Sequence, residues 1–280
     1  MTEHKDIRLV ALDLDDTTLR SDGSLADCTR DAIKAVIDAG IEVAIASGRS
    51  FRSLPASVTQ IPGIRYAITS NGASVAMLPD GERIISFTLR PNTVSVLLEL
   101  FGNELLECFI EGQAYCDARY IADPERYGCS PGYVRYVKTT RLPVKNMPAF
   151  MRENADRLDS VDVLCSSPEH RATLREKAKQ LPDAYITSSS PRLVEISDAE
   201  AGKGASLRRL CALLGVLPEQ TAAFGNGDND ADMLSFAGLG VAVKNATAVC
   251  IASADIVCGP NDEYGVADIL NKILGDKEKQ

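Results

Sequence analysis

The fold is decided by the run Leu9-Val10-Ala11-Leu12-Asp13-Leu14-Asp15-Asp16-Thr17. Its first four residues are apolar, and a continuous apolar run of this length is typical of a strand buried on both faces of a parallel sheet. The residues that follow include three carboxylates within four positions, which repel one another unless a cation gathers there. The run therefore predicts a buried strand that ends at a cation site or, as the alternative, at an acidic turn that caps the next helix.

Short apolar runs of the same kind recur towards both ends of the chain, at residues 41–46, 66–69, 221–224, 239–243 and 256–257. Between the first two strands, Ile33, Val36 and Ile37 lie at helical spacing, and Gly40 stands where a helix commonly ends. Strands and helices that alternate in this way predict βαβ units. The expected fold class is α/β, with a Rossmann-like, doubly wound parallel sheet.

The middle of the chain has a different pattern. Residues 85–187 contain alternating, hairpin-like stretches and two helical ones, with turn signals at Gly112 and Pro131-Gly132. This pattern predicts an α+β cap that is inserted into the parallel-sheet domain. The expected division is a core of residues 1–84 and 188–280 and a cap of residues 85–187.

Polar clusters follow the predicted strands of the core. They comprise Asp13 and Asp15, then Ser47-Gly48-Arg49, then Asn71, and finally Gly225-Asn226-Gly227-Asp228-Asn229-Asp230. In open α/β sheets, ligands bind in the crevice outside the carboxyl ends of the strands. We therefore expect these clusters to converge, although more than 200 residues separate the first from the last.

Each cluster taken alone is also compatible with an ordinary turn. Carboxylates suit Mg²⁺, which takes hard oxygen ligands and keeps several waters, and the Ser47 hydroxyl suits a phosphate oxygen. Lys203 begins a predicted helix, where positive charge is disfavoured, so it is either aimed at an anion or simply exposed. The residues around Lys203 do not form a Walker A loop, and those from 225 to 230 form neither an EF-hand nor a dinucleotide-binding loop.

Composition argues against several classes of function. Hydrophobic residues make up 45% of the chain and the formal net charge is −9, so we expect a packed globular protein without nucleic-acid or membrane partners. The eight cysteines include no C-x-x-C pair, and we identify neither a signal peptide nor an apolar run of the ~20 residues that a membrane span needs. These features predict free thiols and a cytoplasmic location. With His4 and His170 as the only histidines, a Ser-His-Asp triad and a three-histidine zinc site are not expected.

The order of the motifs is more specific than any of them alone. The chain reads D-x-D-D-T, then an apolar run with S-G-R, then S-N-G-A, then K-G, then G-N-G-D-N-D-A-D-M-L. In this order it resembles the haloacid-dehalogenase-like phosphatases, specifically the Cof-type subfamily with a C2 cap. The resemblance covers essentially the whole chain and is most specific at residues 13–17 and 224–234.

The resemblance implies a role for each matching residue. Asp13 resembles the nucleophile that attacks phosphorus, Asp15 the acid that protonates the leaving oxygen and then activates water, and Lys203 a group that holds phosphoryl oxygens. Its implied substrate-binding residues are Ser47, Gly48, Arg49, Asn71 and Asn229. Its implied magnesium ligands are the Asp13 carboxylate, the Asp15 backbone carbonyl, Asn226 and Asp230.

One residue departs from the family pattern. The family usually has Asp where this chain has Asn226, which still offers a carbonyl oxygen but brings no charge. We therefore expect weaker magnesium binding than in Asp-bearing relatives, with Asp230 as the main compensating carboxylate.

The expected function is that of a magnesium-dependent phosphatase. It would hydrolyse a small phosphomonoester through an aspartyl-phosphate, with a cap that closes over the crevice and chooses the substrate. Sugar phosphates, nucleotide-like cofactors such as FMN, and pyridoxal phosphate are all candidates. The alternatives are a phosphomutase or phosphotransferase with the same nucleophile, and a non-catalytic phosphometabolite-binding protein. The expected assembly is a monomer or small homo-oligomer.

Overall fold

The computed structural model describes residues 6–277, so His4 lies outside the described residues. Its strands are β1 (Leu9–Leu12), β2 (Glu42–Ala46), β3 (Tyr66–Thr69), β4 (Ser74–Met77), β5 (Arg83–Ser86), β6 (Leu106–Ile110), β7 (Gln113–Asp117), β8 (Arg141–Val144), β9 (Leu158–Leu164), β10 (Ala184–Thr187), β11 (Leu193–Asp198), β12 (Thr221–Gly225), β13 (Leu239–Val243) and β14 (Ile256–Cys258).

Its α-helices are α1 (Asp27–Asp38), α2 (Ala56–Thr59), α3 (Pro91–Phe101), α4 (Ala118–Ala122), α5 (Pro131–Thr140), α6 (Met147–Glu153), α7 (Pro168–Ala178), α8 (Lys203–Leu214), α9 (Ala231–Phe236), α10 (Ala248–Ala252) and α11 (Gly265–Lys277). None of these described helices has the length and hydropathy of a bilayer span.

The first sheet, which we call the core sheet, has eight strands in the order β14-β13-β12-β1-β2-β3-β4-β5. The six strands from β14 to β3 are parallel, and β4 and β5 are antiparallel additions at one edge. Strand β1 lies between β12 and β2, with Leu12 opposite Phe224 and Ile45. The predicted α/β class with a doubly wound parallel sheet is confirmed.

Both faces of the core sheet are covered by helices. The side chains of Val10 and Leu12 pack against one apolar cluster that includes α1 and α11, whereas Leu9 and Ala11 pack against another that includes α8 and α9. All four residues are fully buried. This two-sided burial is the reason that the strand appears in the sequence as a continuous apolar run rather than an alternating one.

The second sheet, which we call the cap sheet, has six strands in the order β10-β11-β9-β6-β7-β8. All neighbouring pairs are antiparallel except β7 and β8. One face of the sheet is apolar and packs against α3, α6 and α7. The apolar residues of β9 that belong to this face are Leu158, Val161 and Val163.

The sheet topology moves the predicted boundaries of the cap. Strand β5 ends at Ser86 and belongs to the core sheet, and β11 runs to Asp198 and belongs to the cap sheet. A boundary at 187/188 would separate β10 from its antiparallel partner β11. We therefore propose residues 87–198 as the cap.

Candidate active site

Asp13 lies at the carboxyl end of the central strand β1. Its backbone N–H donates to the carbonyl of Phe224 at 3.1 Å, so the β-ladder continues up to the carboxylate. The Asp13 residue is 5% exposed. Its Oδ1 accepts a hydrogen bond from Lys203 Nζ at 2.7 Å, whereas its Oδ2 is buried without a hydrogen-bond partner. One oxygen of the predicted nucleophile is thus held by Lys203, and the other has no hydrogen-bond partner.

Lys203 connects two carboxylates from opposite ends of the chain. Its ammonium donates to Asp13 at 2.7 Å and to Asp230 at 2.6 Å, and the residue is fully buried. Burial lowers the pKa of Lys203, but the charges of Asp13 and Asp230 outweigh burial and raise the pKa above its ordinary value. The sequence left open whether this lysine is exposed, and the structure shows that it is part of a buried ion-pair network.

Burial and the charges of Asp230 and Lys203 together set the pKa of Asp13. Burial is the largest effect and raises its pKa, the charge of Asp230 raises it further, and Lys203 lowers it, with a net pKa of about 7. Burial disfavours the ionised form of a carboxylate. An additional cation beside Asp13 would offset this effect and stabilise the ionised form.

Asp230 is less available than its predicted role as a metal ligand requires. Its Oδ1 accepts from Lys203, and its Oδ2 accepts from the backbone N–H groups of Asn226 at 3.0 Å and Gly227 at 2.9 Å. Both oxygens therefore have partners, and the carboxylate holds the loop that follows β12 in place.

Asn226 lies beside the β1 motif. Its Oδ1 accepts a hydrogen bond from Thr17 Oγ1 at 3.0 Å, and its side chain is partly exposed to the crevice. A carbonyl oxygen has two lone pairs, so this amide oxygen can accept from Thr17 and still face a cation.

Asp15 and Arg49 form a bidentate ion pair, with Nε–Oδ2 at 2.8 Å and Nη2–Oδ1 at 2.6 Å. The guanidinium of Arg49 also lies over the ring of Tyr136, 4.2 Å from its centroid. Arg141 lies at the same distance from that ring, so Tyr136 of α5 contacts one arginine from the core and one from the cap. The predicted acid and a predicted substrate-binding residue are thus paired with each other in this structure.

Ser47 and Gly48 follow β2. Ser47 is buried and its Oγ accepts from the backbone N–H of Arg49 at 3.1 Å. Gly48 lines the crevice, and a Cβ there would lie 3.1 Å from Asn71 Oδ1. The absence of a side chain at residue 48 therefore leaves room for the Asn71 amide.

Asn71 and Asn229 form a chain of hydrogen bonds that reaches the cap. Asn229 Nδ2 donates to Asn71 Oδ1 at 2.9 Å, and Asn71 Nδ2 donates to Glu195 Oε1 at 3.0 Å. Asn71 has φ +52°, a left-handed conformation that asparagine adopts more readily than most residues. Asn229 lines the crevice, whereas both polar ends of Asn71 have protein partners. Their predicted role in substrate binding stays a prediction.

A single cavity of about 350 Å³ joins these residues to the cap. Six of the predicted site residues line it, namely Asp13, Asp15, Gly48, Arg49, Asn226 and Asn229. The other four lie behind this surface, namely Ser47, Asn71, Lys203 and Asp230. His170 is outside the lining and contacts Ser166 and Glu104.

Sequence reasoning missed the cap side of the cavity. Glu107, Asp162 and Glu195 line it together with Arg141 and Tyr136. A signal of this kind was present only for Glu107, which is the one charged residue of the otherwise apolar β6, because β9 and β11 each contain further polar residues. An isolated acid in a strand that is apolar elsewhere indicates a face that does not pack against the core.

The donor set fits Mg²⁺. Within residues 6–277, no three His, Cys, Asp or Glu side chains are grouped as a metal site. Mg²⁺ commonly needs only one or two carboxylates and keeps several waters. The unpartnered Asp13 Oδ2 and the amide oxygen of Asn226 are oxygen donors of this kind.

Comparisons with known proteins identify a single family. A sequence model of the haloacid dehalogenase-like hydrolases matches residues 10–270. The phosphatase YwpJ of Bacillus subtilis is 28% identical, over 96% of this chain and all (100%) of its own length. The 5-amino-6-(5-phospho-D-ribitylamino)uracil phosphatase YwtE of the same organism is 26% identical over 96% of this chain and 98% of its own. The HMP-PP phosphatase of Cronobacter sakazakii is 27% identical over 85% of each chain.

Solved structures agree on the fold. A haloacid dehalogenase-like hydrolase from B. subtilis superimposes with a TM-score of 0.81 at 26% identity, over 95% of this chain and 99% of the other. The sugar phosphatase BT4131 has a TM-score of 0.79 at 19% identity, over 96% and 99% of the two chains, which supports the fold alone. By its sequence match over most of its length and by its fold, the chain belongs to the haloacid dehalogenase-like hydrolases.

Proposed function

We propose that the chain is a magnesium-dependent phosphatase that hydrolyses a small phosphomonoester through an aspartyl-phosphate on Asp13. The observation that carries this proposal is the state of Asp13, which lines the cavity with one oxygen held by Lys203 and the other unpartnered. A carboxylate nucleophile divides one difficult hydrolysis into two easier steps.

In the first step, Asp13 Oδ2 attacks phosphorus in line, and the bond from phosphorus to the ester oxygen breaks. In the second step, water attacks the same phosphorus, and the carboxylate of Asp13 and inorganic phosphate are released. Lys203 keeps Oδ1 fixed throughout, so only one oxygen of Asp13 is presented to the substrate. Fixed geometry and charge neutralisation supply most of the catalysis of phosphoryl transfer.

The residues that would hold Mg²⁺ are Asp13 through its carboxylate, Asp15 through its backbone carbonyl, and Asn226 through its side-chain carbonyl. When bound, the ion supplies positive charge against the phosphoryl oxygens and favours the ionised form of Asp13. Asp230 has both oxygens engaged with Lys203 and the loop N–H groups. We therefore place Asp230 behind the ligand shell rather than in it.

Asp15 is proposed as the proton donor to the leaving oxygen. An ion pair needs the ionised carboxylate, so proton donation requires Asp15 to separate from Arg49. Arg49 lines the cavity and would then be free to approach a phosphoryl oxygen, for which a guanidinium has suitable geometry.

A small metabolite is the proposed substrate class. The cavity volume of about 350 Å³ is near the lower end of the usual range for ligand pockets. Relatives are named as phosphatases of 5-amino-6-(5-phospho-D-ribitylamino)uracil and of HMP-PP. Sugar phosphates and phosphorylated cofactors both remain candidates for this chain. A cytoplasmic location is part of the proposal and is supported by eight unpaired cysteines.

The test is phosphate release from a panel of phosphomonoesters, with and without Mg²⁺. We expect release that depends on Mg²⁺, is lost on chelation, and is abolished in Asp13→Asn while the variant still binds ligand. An isomerised product with little free phosphate would identify a mutase instead. Ligand binding without turnover in the unmutated protein would identify a binding protein and contradict the proposal.

A further inference from the structure

Three buried carboxylates cross the cap sheet side by side. Glu107 lies on β6, Asp162 on β9 and Glu195 on β11, and Asp162 is directly opposite each of the other two in the strand register. Their exposed fractions are 4%, 4% and 2%. We call these three residues the acidic row.

The two ends of the acidic row have partners, and its middle does not. Glu107 forms an ion pair with Arg141 at 2.8 Å, and Glu195 accepts from Asn71 Nδ2 at 3.0 Å and from Ser189 Oγ at 2.8 Å. Asp162 Oδ1 is buried with no hydrogen-bond partner. An unsatisfied buried polar atom is uncommon in native structures and calls for a physical reason.

The electrostatics of the row are unfavourable without an added donor. Like charges directly opposite each other on neighbouring strands destabilise a sheet. Burial, and then the charges of Glu195 and Glu107, raise the pKa of Asp162 well above its ordinary value. In the free protein, a proton on Asp162 can offset this repulsion, and a positively charged ligand group can take the place of that proton.

The acidic row faces the same cavity as the proposed nucleophile. Asp162 and its two neighbours line the cavity at the cap end, and Asp13 and Gly48 line it at the core end. Five aromatic residues also line the cavity, namely Phe109, Tyr120, Tyr127, Tyr133 and Tyr136. Because the two ends belong to one cavity, the leaving group of a ligand whose phosphate lies at Asp13 occupies the space that Asp162 also lines.

We propose that the acidic row selects phosphomonoesters whose leaving group carries an amine, and that this amine donates to Asp162. The inference rests on the proposed phosphatase function, because it takes the phosphate to lie at Asp13. An ammonium brings both the missing hydrogen-bond donor and the missing positive charge, whereas a hydroxyl brings a donor alone.

The other cations that line the cavity are already engaged. Arg141 pairs with Glu107, Arg49 pairs with Asp15, and Arg192 donates to the backbone carbonyl of Tyr127 at 2.6 Å. One arginine thus serves the three carboxylates of the row. Glu195 has only the neutral donors Asn71 and Ser189, and Asp162 Oδ1 has no donor at all, so the amine is placed at Asp162.

Matched substrate pairs test this inference. Suitable pairs are pyridoxamine and pyridoxine 5′-phosphate, glucosamine and glucose 6-phosphate, and 2-aminoethyl and 2-hydroxyethyl phosphate. A hydrogen bond to a charged group is worth enough that we expect a ratio of kcat/KM of about tenfold or more in favour of the amine. For a pair in which neither member is hydrolysed, the amine is expected to inhibit the hydrolysis of p-nitrophenyl phosphate at about tenfold lower concentration than its hydroxyl partner.

Asp162→Asn is the informative variant, because it keeps the shape of the side chain and removes its charge. The preference for the amine should fall to within about threefold, since a neutral amide no longer attracts an ammonium selectively. Asp117→Asn is the matched control, because Asp117 is a buried carboxylate of the cap sheet that has its own partner in Arg119 and does not line the cavity. This control should keep the wild-type ratio.

Equal or faster hydrolysis of the hydroxyl compounds would overturn the inference. An amine preference that survives in Asp162→Asn would also overturn it. The phosphatase function is judged separately, by p-nitrophenyl phosphate hydrolysis that needs Mg²⁺ and Asp13. Loss of amine selectivity with that hydrolysis intact therefore rejects the substrate class alone.

Discussion

At the scale of single residues, Lys203 is expected to contribute strongly to the free energy of unfolding. Its ammonium is fully buried between the carboxylates of Asp13 and Asp230. Removing one partner of a buried ion pair leaves uncompensated charge and costs about 3–5 kcal/mol. We expect Lys203→Met to lose this much free energy of unfolding and to release no phosphate, as measured by urea denaturation and a phosphate assay.

The control for Lys203 is Lys179→Met. Lys179 pairs with Glu176 at 2.6 Å, but its side chain is 66% exposed. Exposed ion pairs contribute about 0–1 kcal/mol, so this variant should remain within that range and keep full activity. Similar losses of stability in the two lysine variants would contradict the role assigned to the buried one.

Asn226 offers a second prediction at this scale. Asn226→Asp adds a negative charge beside Asp13, and ligand charge is one of the factors that set cation affinity. We expect Mg²⁺ to bind on the order of tenfold more tightly, measured by calorimetric titration and by the concentration that supports half-maximal phosphate release. Asn103→Asp adds the same charge at an exposed residue after α3 and should leave both values unchanged. Unchanged or weaker binding in Asn226→Asp would show that Asn226 is not a ligand.

At the scale of elements, a close backbone contact holds two turns of the site together. Gly72 follows β3 with φ +87°, and a Cβ there would lie 2.1 Å from the carbonyl oxygen of Gly202, the residue before α8. This contact brings the Asn71 turn against the helix that begins with Lys203. No side chain fits between the two backbones without moving one of them.

Gly72→Ala should therefore be strongly destabilising. Gly23→Ala is a matched control, since Gly23 has φ +79° and open space around it. The left-handed conformation alone costs an L-residue about 1–2 kcal/mol, which both variants should lose. Overpacking adds about 1–3 kcal/mol, which Gly72→Ala alone should lose in urea denaturation. Equal losses in the two variants would mean that the turns separate easily.

The bounds of the strands show how much of this structure the sequence predicts. The strands at 66–69 and 239–243 have the bounds that we predicted, because burial on both faces makes a parallel strand visible as an apolar run. The polar residues that follow the parallel strands converge because the carboxyl ends of these strands lie at one edge of the core sheet. The predicted boundary at 187/188 lies between β10 and β11, and the pairing of these two strands in the cap sheet is not visible in the sequence pattern.

The acidic row could not be predicted from the sequence. Glu107, Asp162 and Glu195 are adjacent only because three distant strands pair in one register. A shift of one residue in that register would move each acid to the opposite face of the sheet. The family prediction is confirmed, because it depends on the order of motifs along the chain and not on how strands pair.

At the scale of the whole molecule, Tyr136 connects the cap to the core. Its ring lies 4.2 Å from the guanidinium carbons of Arg49 and Arg141. Each cation–π contact contributes about 0.5–2 kcal/mol, depending on how well it is desolvated. Because Arg49 also pairs with Asp15, this ring connects the position of the cap to the proposed acid.

Tyr136→Leu should therefore weaken closure of the cap. We expect kcat/KM for the best substrate to fall about tenfold, since that substrate depends on the closed cavity. Tyr136→Phe keeps the aromatic face and should remain within about threefold of the unmutated protein. Similar losses in both variants would assign the effect to the hydroxyl group and not to the contact between the two arginines.

The alternation of side chains along β9 has one further consequence. Val161 and Val163 face the helices, and Ser160 and Asp162 face away from them. Evolution or protein engineering can therefore exchange the β9 residues that line the cavity, Asp162 and Leu164, to change which molecules are accepted, while Val161 and Val163 keep the cap packed. A new chemical preference is then a matter of a few point substitutions and does not require a new scaffold.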